Sequence, residues 1–399
     1  MANANVGLPS RTSPTLDLVI PTEEEKLLCW KINGASWRGA LSLPTYLRRE
    51  EYLAEQAFTR DGGITYWILV DTAASTPASS PRTILASCES LRKKALLATK
   101  DGKVEEVVSH GVGSVFCRPE FRGRGYAQRM MKELGDKLER WQQKEGCRVS
   151  FTVLYSDIGK KFYAKYGWMP FPSSHIALSP LKSTTDTSST KNTPSSSPLH
   201  AGDLPALCSL DQTLLRQKIT LHNPSTRVAL IPDVETMQWH HAREEFAAKE
   251  LYNRFPEVKG AISEGREGER AWCIWTRTFG STPESSKLQI LRLVIEVEEE
   301  IGRQMPNDAT SNGTDAKSTG AVKAAAAVLL AAQREADIWS MDHVELWNPS
   351  PVTALAAREI LPGAEIVDRD EESIASLRWS GEGDGKEVAW VGNEKYGWC

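Results

Sequence analysis

Arg122, Gly123, Arg124 and Gly125 form an Arg-Gly-Arg-Gly run between an apolar stretch and a segment whose apolar residues recur every three or four positions. A strand that turns through glycines into a helix exposes a row of backbone N–H groups. The first four amides of a helix have no internal partner, and the helix dipole adds positive character there. Such a turn binds phosphate. Gly123 and Gly125 let the main chain approach a ligand closely and take positive φ, and Arg122 and Arg124 add cationic side chains. The run is not a Walker loop, because no Gly-Lys-Ser/Thr follows. It also lacks the third glycine of a dinucleotide fingerprint.

The elements around this turn can be read from periodicity. A long strand spans roughly 105–119 ahead of it, and a helix spans about 125–145 behind it. Ala127, Met130, Met131, Leu134, Leu138 and Trp141 share one face of that helix. Strand 16–22, helices 23–37 and 44–58, and strands 64–71 and 83–97 precede them; strand 147–156 and a short helix, 159–167, follow. The second half reads as strand 227–233, helix 234–251, strands 271–279 and 288–297, helix 321–337, strand 342–350 and helix 351–359. Strand, long helix, strand, short helix is the order of 105–167, so the second half is read as a degenerate second copy. Residues 72–82, 179–200 and 302–320, rich in Ser, Thr, Pro and small polar residues, are expected to lack regular structure.

The bulk composition narrows the function classes. The chain has 399 residues, enough for two or three domains, with 40% hydrophobic and 25% charged residues. A net charge of −4 argues against a nucleic-acid binder that relies on a strong basic field. The longest apolar run, Ala324–Ala332, is too short to cross a membrane. Seven scattered cysteines, without a Cys-x-x-Cys pair or zinc spacing, suggest reduced thiols in a cytoplasmic protein and no metal. Residues 1–15 read as a loose tail. Oligomeric state is not legible.

FRGRGYAQRMM after GVGSVFCRPE resembles the acetyl-CoA signature of the GNAT (GCN5-related) N-acetyltransferases, with Arg122, Gly125 and Ala127 at its defining positions. KKFYAKYGW at 160–168 is similar to that family's second hallmark. The resemblance implies an α/β (α+β) GNAT fold: a central mixed, mostly antiparallel sheet flanked by helices, with the second α/β domain beyond it. It implies acetyl-CoA as donor, its pyrophosphate on the amides of Arg122, Gly123, Arg124, Gly125, Tyr126 and Ala127. The pantetheine arm would pair with the strand end at Val115, Phe116 and Cys117. Tyr163 matches the family's frequent general acid; packing beside Phe162 and Tyr166 is its alternative reading.

Amine acetylation needs a neutral amine, and a lysine-type ammonium with a pKa near 10.4 is neutral in only about one molecule in 2,500 at pH 7, a deficit of about 4.6 kcal/mol. A base must recover it. The family often places one nine or eleven residues before the signature Arg, where this chain has Gly113 and Gly111. His110 should point to the opposite face unless a bulge shifts the register. Glu89, Asp157 or a group from the second half are the other candidates. His240 and His241 are adjacent, so one is expected at the surface and one in the core. The acidic run EVEEE at 296–300 reads as a solvated strand end.

WRGALSLPTYLRREEYL (37–53), VLYSDIGKKFYAKYGW (153–168) and WNPSP (347–351) resemble the fungal lysine N6-acetyltransferases of lysine breakdown. That resemblance implies free L-lysine as acceptor, acetylated on its side-chain amine. It also implies a GNAT domain over 16–178, a linker over 179–200, and a C-terminal domain over 201–399 that contributes to the acceptor site. A protein amino group or another small amine as acceptor, or an inactive acyl-CoA-binding protein, are the alternatives.

Overall fold

The computed structural model describes residues 7–74, 81–143, 147–182, 195–220, 225–265, 269–296 and 320–398. Local chemistry starts the helices. Thr22 caps helix Glu23–Trp37 in a reciprocal pair with Glu25, and Ser42 caps helix Leu43–Ala54, with Pro44 in its first turn. Asp233 caps helix Val234–Tyr252, and Ser350 caps helix Pro351–Ile360. Each cap accepts one of the amides that a helix start leaves unpaired. Helix Tyr126–Leu138 instead begins at Gly125, in the left-handed region at φ 84°, a conformation that suits glycine.

Two sheets organise these elements. The first runs in the order Leu16–Val19, Ile64–Asp71, Ala86–Ala98, Val104–Cys117, Val149–Ser156, Ile374–Trp379, Met169–Pro170. Its pairs are antiparallel except Val104–Cys117 with Val149–Ser156. Strand Arg227–Leu230 adds to the far end of Ala86–Ala98. The second sheet runs Ser196–Leu199, Gly260–Ser263, Ala271–Thr278, Lys287–Ile295, His343–Trp347, Ser174–Leu178, Val367–Asp368. Its parallel pair, Lys287–Ile295 with His343–Trp347, occupies the same place in the order. The expected second copy is therefore present in the strand order.

The sixth strand of each sheet comes from the other half of the chain. Ile374–Trp379 enters the first sheet beside Val149–Ser156, and Ser174–Leu178 enters the second beside His343–Trp347. A boundary at 179–200 therefore does not separate the two sheets. Between them lies a shared core that includes Phe151, Val153, Leu230, Trp272, Ile274, Leu377 and Tyr396. Helix Tyr126–Leu138 buries Met130, Met131, Leu134 and Leu138 on the first sheet. The alanine-rich helix Gly320–Ile338 is buried along most of its length on the second, as a helix apolar on most faces must be. No helix among the described residues is long and apolar enough to cross a membrane.

Two expectations need correction. Residues 7–15 are not a loose tail: Arg129 donates to the carbonyls of Arg11 at 3.1 Å, Ser13 at 3.3 Å and Leu16 at 3.2 Å. Within the expected linker, Ser196–Leu199 is an edge strand paired with Gly260–Ser263; Ser-Ser-Pro-Leu has no alternation that would signal it. The remainder of that stretch, 183–194, and most of 302–320 lie outside the described residues. Helix Leu204–Thr220, absent from the sequence reading, packs Leu207 and Cys208 into the shared core.

Candidate active site

The Arg-Gly-Arg-Gly turn opens one side of a cavity of about 680 Å³. Gly123 and Gly125 both take positive φ, 77° and 84°. The amide of Arg129 is bonded to the Gly125 carbonyl at 3.0 Å, so the amides of Gly125 to Gln128 precede the first intrahelical bond and point out of the helix end. Arg122 folds back: Nε donates to the Cys117 carbonyl at 3.0 Å, and the guanidinium lies over Phe116. It braces the turn against the strand end. The opposite rim is the N-terminal segment, where the Tyr126 hydroxyl donates to the Pro9 carbonyl at 2.7 Å and Arg11 bonds Gln128. Arg11 therefore joins Arg122 and Arg124 as a cation lining the cavity.

Next to the turn the sheet splays. Val104–Cys117 and Val149–Ser156 pair only as far as Val112 and Leu154. Beyond that point residues 113–117 keep their partners on the other side, Phe116 with Ser87 and Cys117 with Ala86, but have no strand across the gap. This leaves Val115, Phe116 and Cys117 with a strand edge open to an extended ligand. A bulge creates the geometry: Ser114 and Val115 together oppose the single residue Cys88, and Ser114 takes φ 49°. A non-glycine residue there costs about 1–2 kcal/mol, strain of a kind that collects at functional sites.

The bulge aims Ser114 at Glu89. The hydroxyl donates to Glu89 Oε1 at 2.8 Å, and Glu89 lies opposite Gly113 in the ladder. Burial first, then the neighbouring negative charge of Glu50, push the Glu89 pKa up to about 7, against the opposing pull of Ser114, Arg243 and Arg49. This is a carboxyl poised to take a proton near neutrality.

Glu89 lines a second cavity of about 260 Å³, where it meets Gly113, Ser114, Asp157 and Tyr163. The cavities are neighbours: Cys117 and Phe162 line the first, Val115 and Tyr163 the second. Tyr163 is buried, and burial followed by the charge of Asp157 raises its phenol well above its ordinary value, so it stays protonated at neutral pH. Phe162 packs edge-on against it, centroids 5.0 Å apart. Asp157 accepts from the Ser373 amide at 3.0 Å, which ties it to the late strand.

Three sides of this small cavity come from elements the sequence reading did not assign to it. Helix Leu43–Ala54 supplies Tyr46, Arg49 and Glu50, with Arg49 Nη2 paired to Glu50 at 2.7 Å. Helix Val234–Tyr252 supplies Trp239 and Arg243, and Trp398 closes the wall. Trp239 and Arg243 are four residues apart, hence on one helical face, a signal present in WHHAREE. That helix is held to the second sheet by a buried network: Glu244 accepts from Lys259 at 2.9 Å and from Arg277 at 2.9 Å, and Arg277 also pairs with Glu335. Despite its burial, Arg277 and Lys259 keep the Glu244 carboxyl below its usual range.

The histidines stay outside the site. His110 is buried with Nε2 at 3.1 Å from the Trp141 carbonyl, and burial lowers its pKa to about 4. His240 and His241 are both buried, against the Tyr396 and Trp275 carbonyls. The expected split between surface and core fails because the helix is covered on two sides. In the acidic run, Glu296 forks onto Arg270, so its first glutamate is a paired group rather than a solvated one; Val297 to Glu300 lie outside the described residues.

The second sheet has its own splay. Lys287–Ile295 and His343–Trp347 separate after Ile290 and Leu346, and a cavity of about 760 Å³ lies there. Segment 388–394 lines it, and Glu394 accepts from the Leu293 amide at 3.0 Å. The sequence between strand Lys287–Ile295 and helix Gly320–Ile338 contains no Gly-x-Gly.

Comparison with known proteins identifies the family. The family profile described as LYC1 GNAT-like C-terminal domain matches residues 175–399, and the Acetyltransferase (GNAT) domain profile matches residues 94–170. The "Lysine acetyltransferase" of Yarrowia lipolytica (strain CLIB 122 / E 150) is 29% identical over 146 residues, 33% of this chain and 35% of that protein. "Uncharacterized protein YGR111W" of Saccharomyces cerevisiae (strain ATCC 204508 / S288c) is 23% identical over 168 residues, 37% of this chain and 41% of that protein. The matches thus span well under half the length of these curated relatives. Among solved structures, a GCN5-related N-acetyltransferase from Anabaena variabilis ATCC 29413 aligns with a TM-score of 0.49 at 16% identity, covering 91% of this chain and 72% of that one.

Proposed function

The chain belongs to the family of the LYC1 GNAT-like C-terminal domain, and from that premise we propose that it transfers the acetyl group of acetyl-CoA to the side-chain amine of free L-lysine. The observation that carries this reading is Glu89. It is a carboxyl with a pKa near 7 in a small closed-in cavity beside the splayed strand, facing the same space as Tyr163.

The diphosphate of the donor rests on the amides of Gly125 to Gln128 and between Arg11 and Arg124. The pantetheine arm adds as a strand along Val115 to Cys117, which brings the thioester carbonyl towards Ser114 and Tyr163. The incoming ammonium loses one proton to Glu89. The neutral nitrogen attacks the carbonyl carbon, the C–S bond breaks, the Tyr163 phenol protonates the departing sulfur, and the second proton shed by the acylated nitrogen restores the phenol. N6-acetyl-lysine and free coenzyme A result, and the proton on Glu89 leaves to solvent. A cavity of about 260 Å³ is smaller than the roughly 300–1,000 Å³ of pockets for drug-sized ligands, and so favours a small acceptor over a folded protein. The relative named a lysine acetyltransferase supports lysine among small amines.

Thiol release measured side by side with L-lysine, spermidine and lysine-containing peptides tests the reading. L-lysine should give the highest kcat/KM. Faster turnover of peptides or spermidine would replace lysine as acceptor, and tight coenzyme binding with no thiol release would mark an inactive binding protein.

A further inference from the structure

We propose that Arg243 is the anchor for an acceptor carboxylate, so that the site selects a free α-amino acid over the same amine without its acid group. The proposal rests on the lysine reading above and adds the subsite that recognises the other end of the molecule.

The charges around the acceptor cavity motivate it. Glu50, Glu89 and Asp157 are its acids, and Arg49 and Arg243 its cations. Arg49 is already committed: its Nε and Nη2 both donate to Glu50, at 3.0 and 2.7 Å, and Nη2 also reaches the Trp37 carbonyl at 3.3 Å. Arg243 makes no ion pair or hydrogen bond among the described residues. Its guanidinium lies over the Trp398 ring, 5.3 Å from the centroid. A guanidinium held over a ring keeps its N–H donors available, and these form a planar fork that matches a carboxylate in two parallel bonds.

The surroundings make this cation ask for an anion. Burial first, then repulsion from Arg49, lower the Arg243 pKa to about 10. A carboxylate placed there relieves both. The acid that could have paired with Arg243 internally, Glu50, is held by Arg49. The other, Glu89, is pulled towards Ser114, which leaves it free to take the proton of the amine. The cavity thus holds both a carboxyl that can take a proton from an ammonium and a cation that can bind a carboxylate.

Arg243 is also rigidly delivered. The next residue, Glu244, is the buried hub bonded to Lys259 and Arg277. Arg243 belongs to the second half of the chain and Glu89 to the first, so both halves line the cavity.

The test compares L-lysine with L-lysinamide and cadaverine, which carry the same side-chain amine without the carboxylate, using wild type, R243Q and R243K. Wild type should prefer L-lysine over both analogues in kcat/KM by about 10- to 150-fold, the value of a charge-assisted hydrogen-bonded pair. R243Q should bring that ratio close to one, mainly through KM for lysine, and R243K should restore part of it because charge remains without the fork. Equal use of lysine and lysinamide by wild type, or an undiminished ratio in R243Q, overturns the anchor while leaving lysine acetylation intact. If ornithine outperforms lysine and still depends on Arg243 for preference over putrescine, lysine falls and the anchor stands. Turnover of peptides or polyamines alone removes both. Should R243Q fail to fold, the wild-type ratio and R243K decide.

Discussion

Replacing Glu89 with glutamine removes the proposed base while keeping its shape and its hydrogen bond from Ser114. An unshifted glutamate at 4.5 would face an ammonium near 10.4 across about six pKa units, roughly 8 kcal/mol of unfavourable proton transfer. At about 7 the gap is about 3.4 units, or roughly 4.6 kcal/mol. The cavity has thus moved the base about 3 kcal/mol closer to its task. Glutamine can accept no proton, so turnover must draw on the one amine in about 2,500 that is neutral at pH 7. We expect kcat/KM for lysine to fall by about 10²- to 10³-fold at pH 7, within the usual worth of general base catalysis. The pH profile discriminates further. Wild-type kcat/KM should rise with pH through about 7 and level off once Glu89 is ionised. The E89Q rate should climb tenfold per unit towards pH 10, narrowing the gap as solvent removes the proton. A wild-type profile flat across pH 6–8, or an E89Q profile that keeps the inflection near 7, refutes the role of Glu89.

The remaining expectations concern the donor side and the fold. Tyr163→Phe should lower kcat by about 10² with the KM for acetyl-CoA nearly unchanged; wild-type kcat would remove the phenol from the mechanism. Gly125→Val places a β-branched residue at φ 84°, where its Cβ would lie 2.4 Å from Arg11 Cδ. It should raise the KM for acetyl-CoA at least tenfold; an unchanged KM would disconnect the turn from the donor. Leu377→Ala truncates a buried side chain in the core between the sheets and should cost about 2–5 kcal/mol. Because each sheet contains a strand of the other half, urea unfolding should remain one transition in wild type and variant; two separated transitions would contradict the exchange.

Much of the glycine turn and its setting was legible in the residues themselves. The turn, the apolar face of the helix behind it and the bounds of Ile64–Asp71 depend on local spacing, and local spacing is visible in one chain. The acceptor side depends on register. Two glycines stand at 111 and 113, and the room they leave can be read directly. That Glu89 stands opposite Gly113 follows from the unbroken pairing back to Ala98 and Val104; what no alternation pattern announces is the one-residue slip just beyond, where Ser114 meets the carboxyl. The destinations of Ser174–Leu178 and Ile374–Trp379 were illegible for a related reason. Each is a short strand that could satisfy its backbone against any open edge, and tertiary packing chooses between the two edges on offer. Arg378 shows the choice being enforced: from the late strand it crosses helix Tyr126–Leu138 at Gly135, where any Cβ would collide with it, and binds Asp136 and Glu139 at 3.1 and 2.8 Å.

The two copies have come to divide the work physically. Both sheets open after the parallel pair at the middle of the strand order, but only the first opening is followed by a cationic glycine turn. In the second, segment 388–394 crosses the gap and the Glu394 carboxylate takes the Leu293 amide, an edge donor of the kind an extended ligand would otherwise use. The same segment continues into Lys395, stacked between Trp347 and Trp398, and Trp398 supports Arg243 at the acceptor cavity. The segment takes one edge donor of this cleft and continues into the wall of the neighbouring cavity. On the proposed function, the second half serves as a wall of the acceptor site rather than as a second donor site. On this view a change at Glu394 should be felt as a loss of acceptor selectivity before any loss of donor binding.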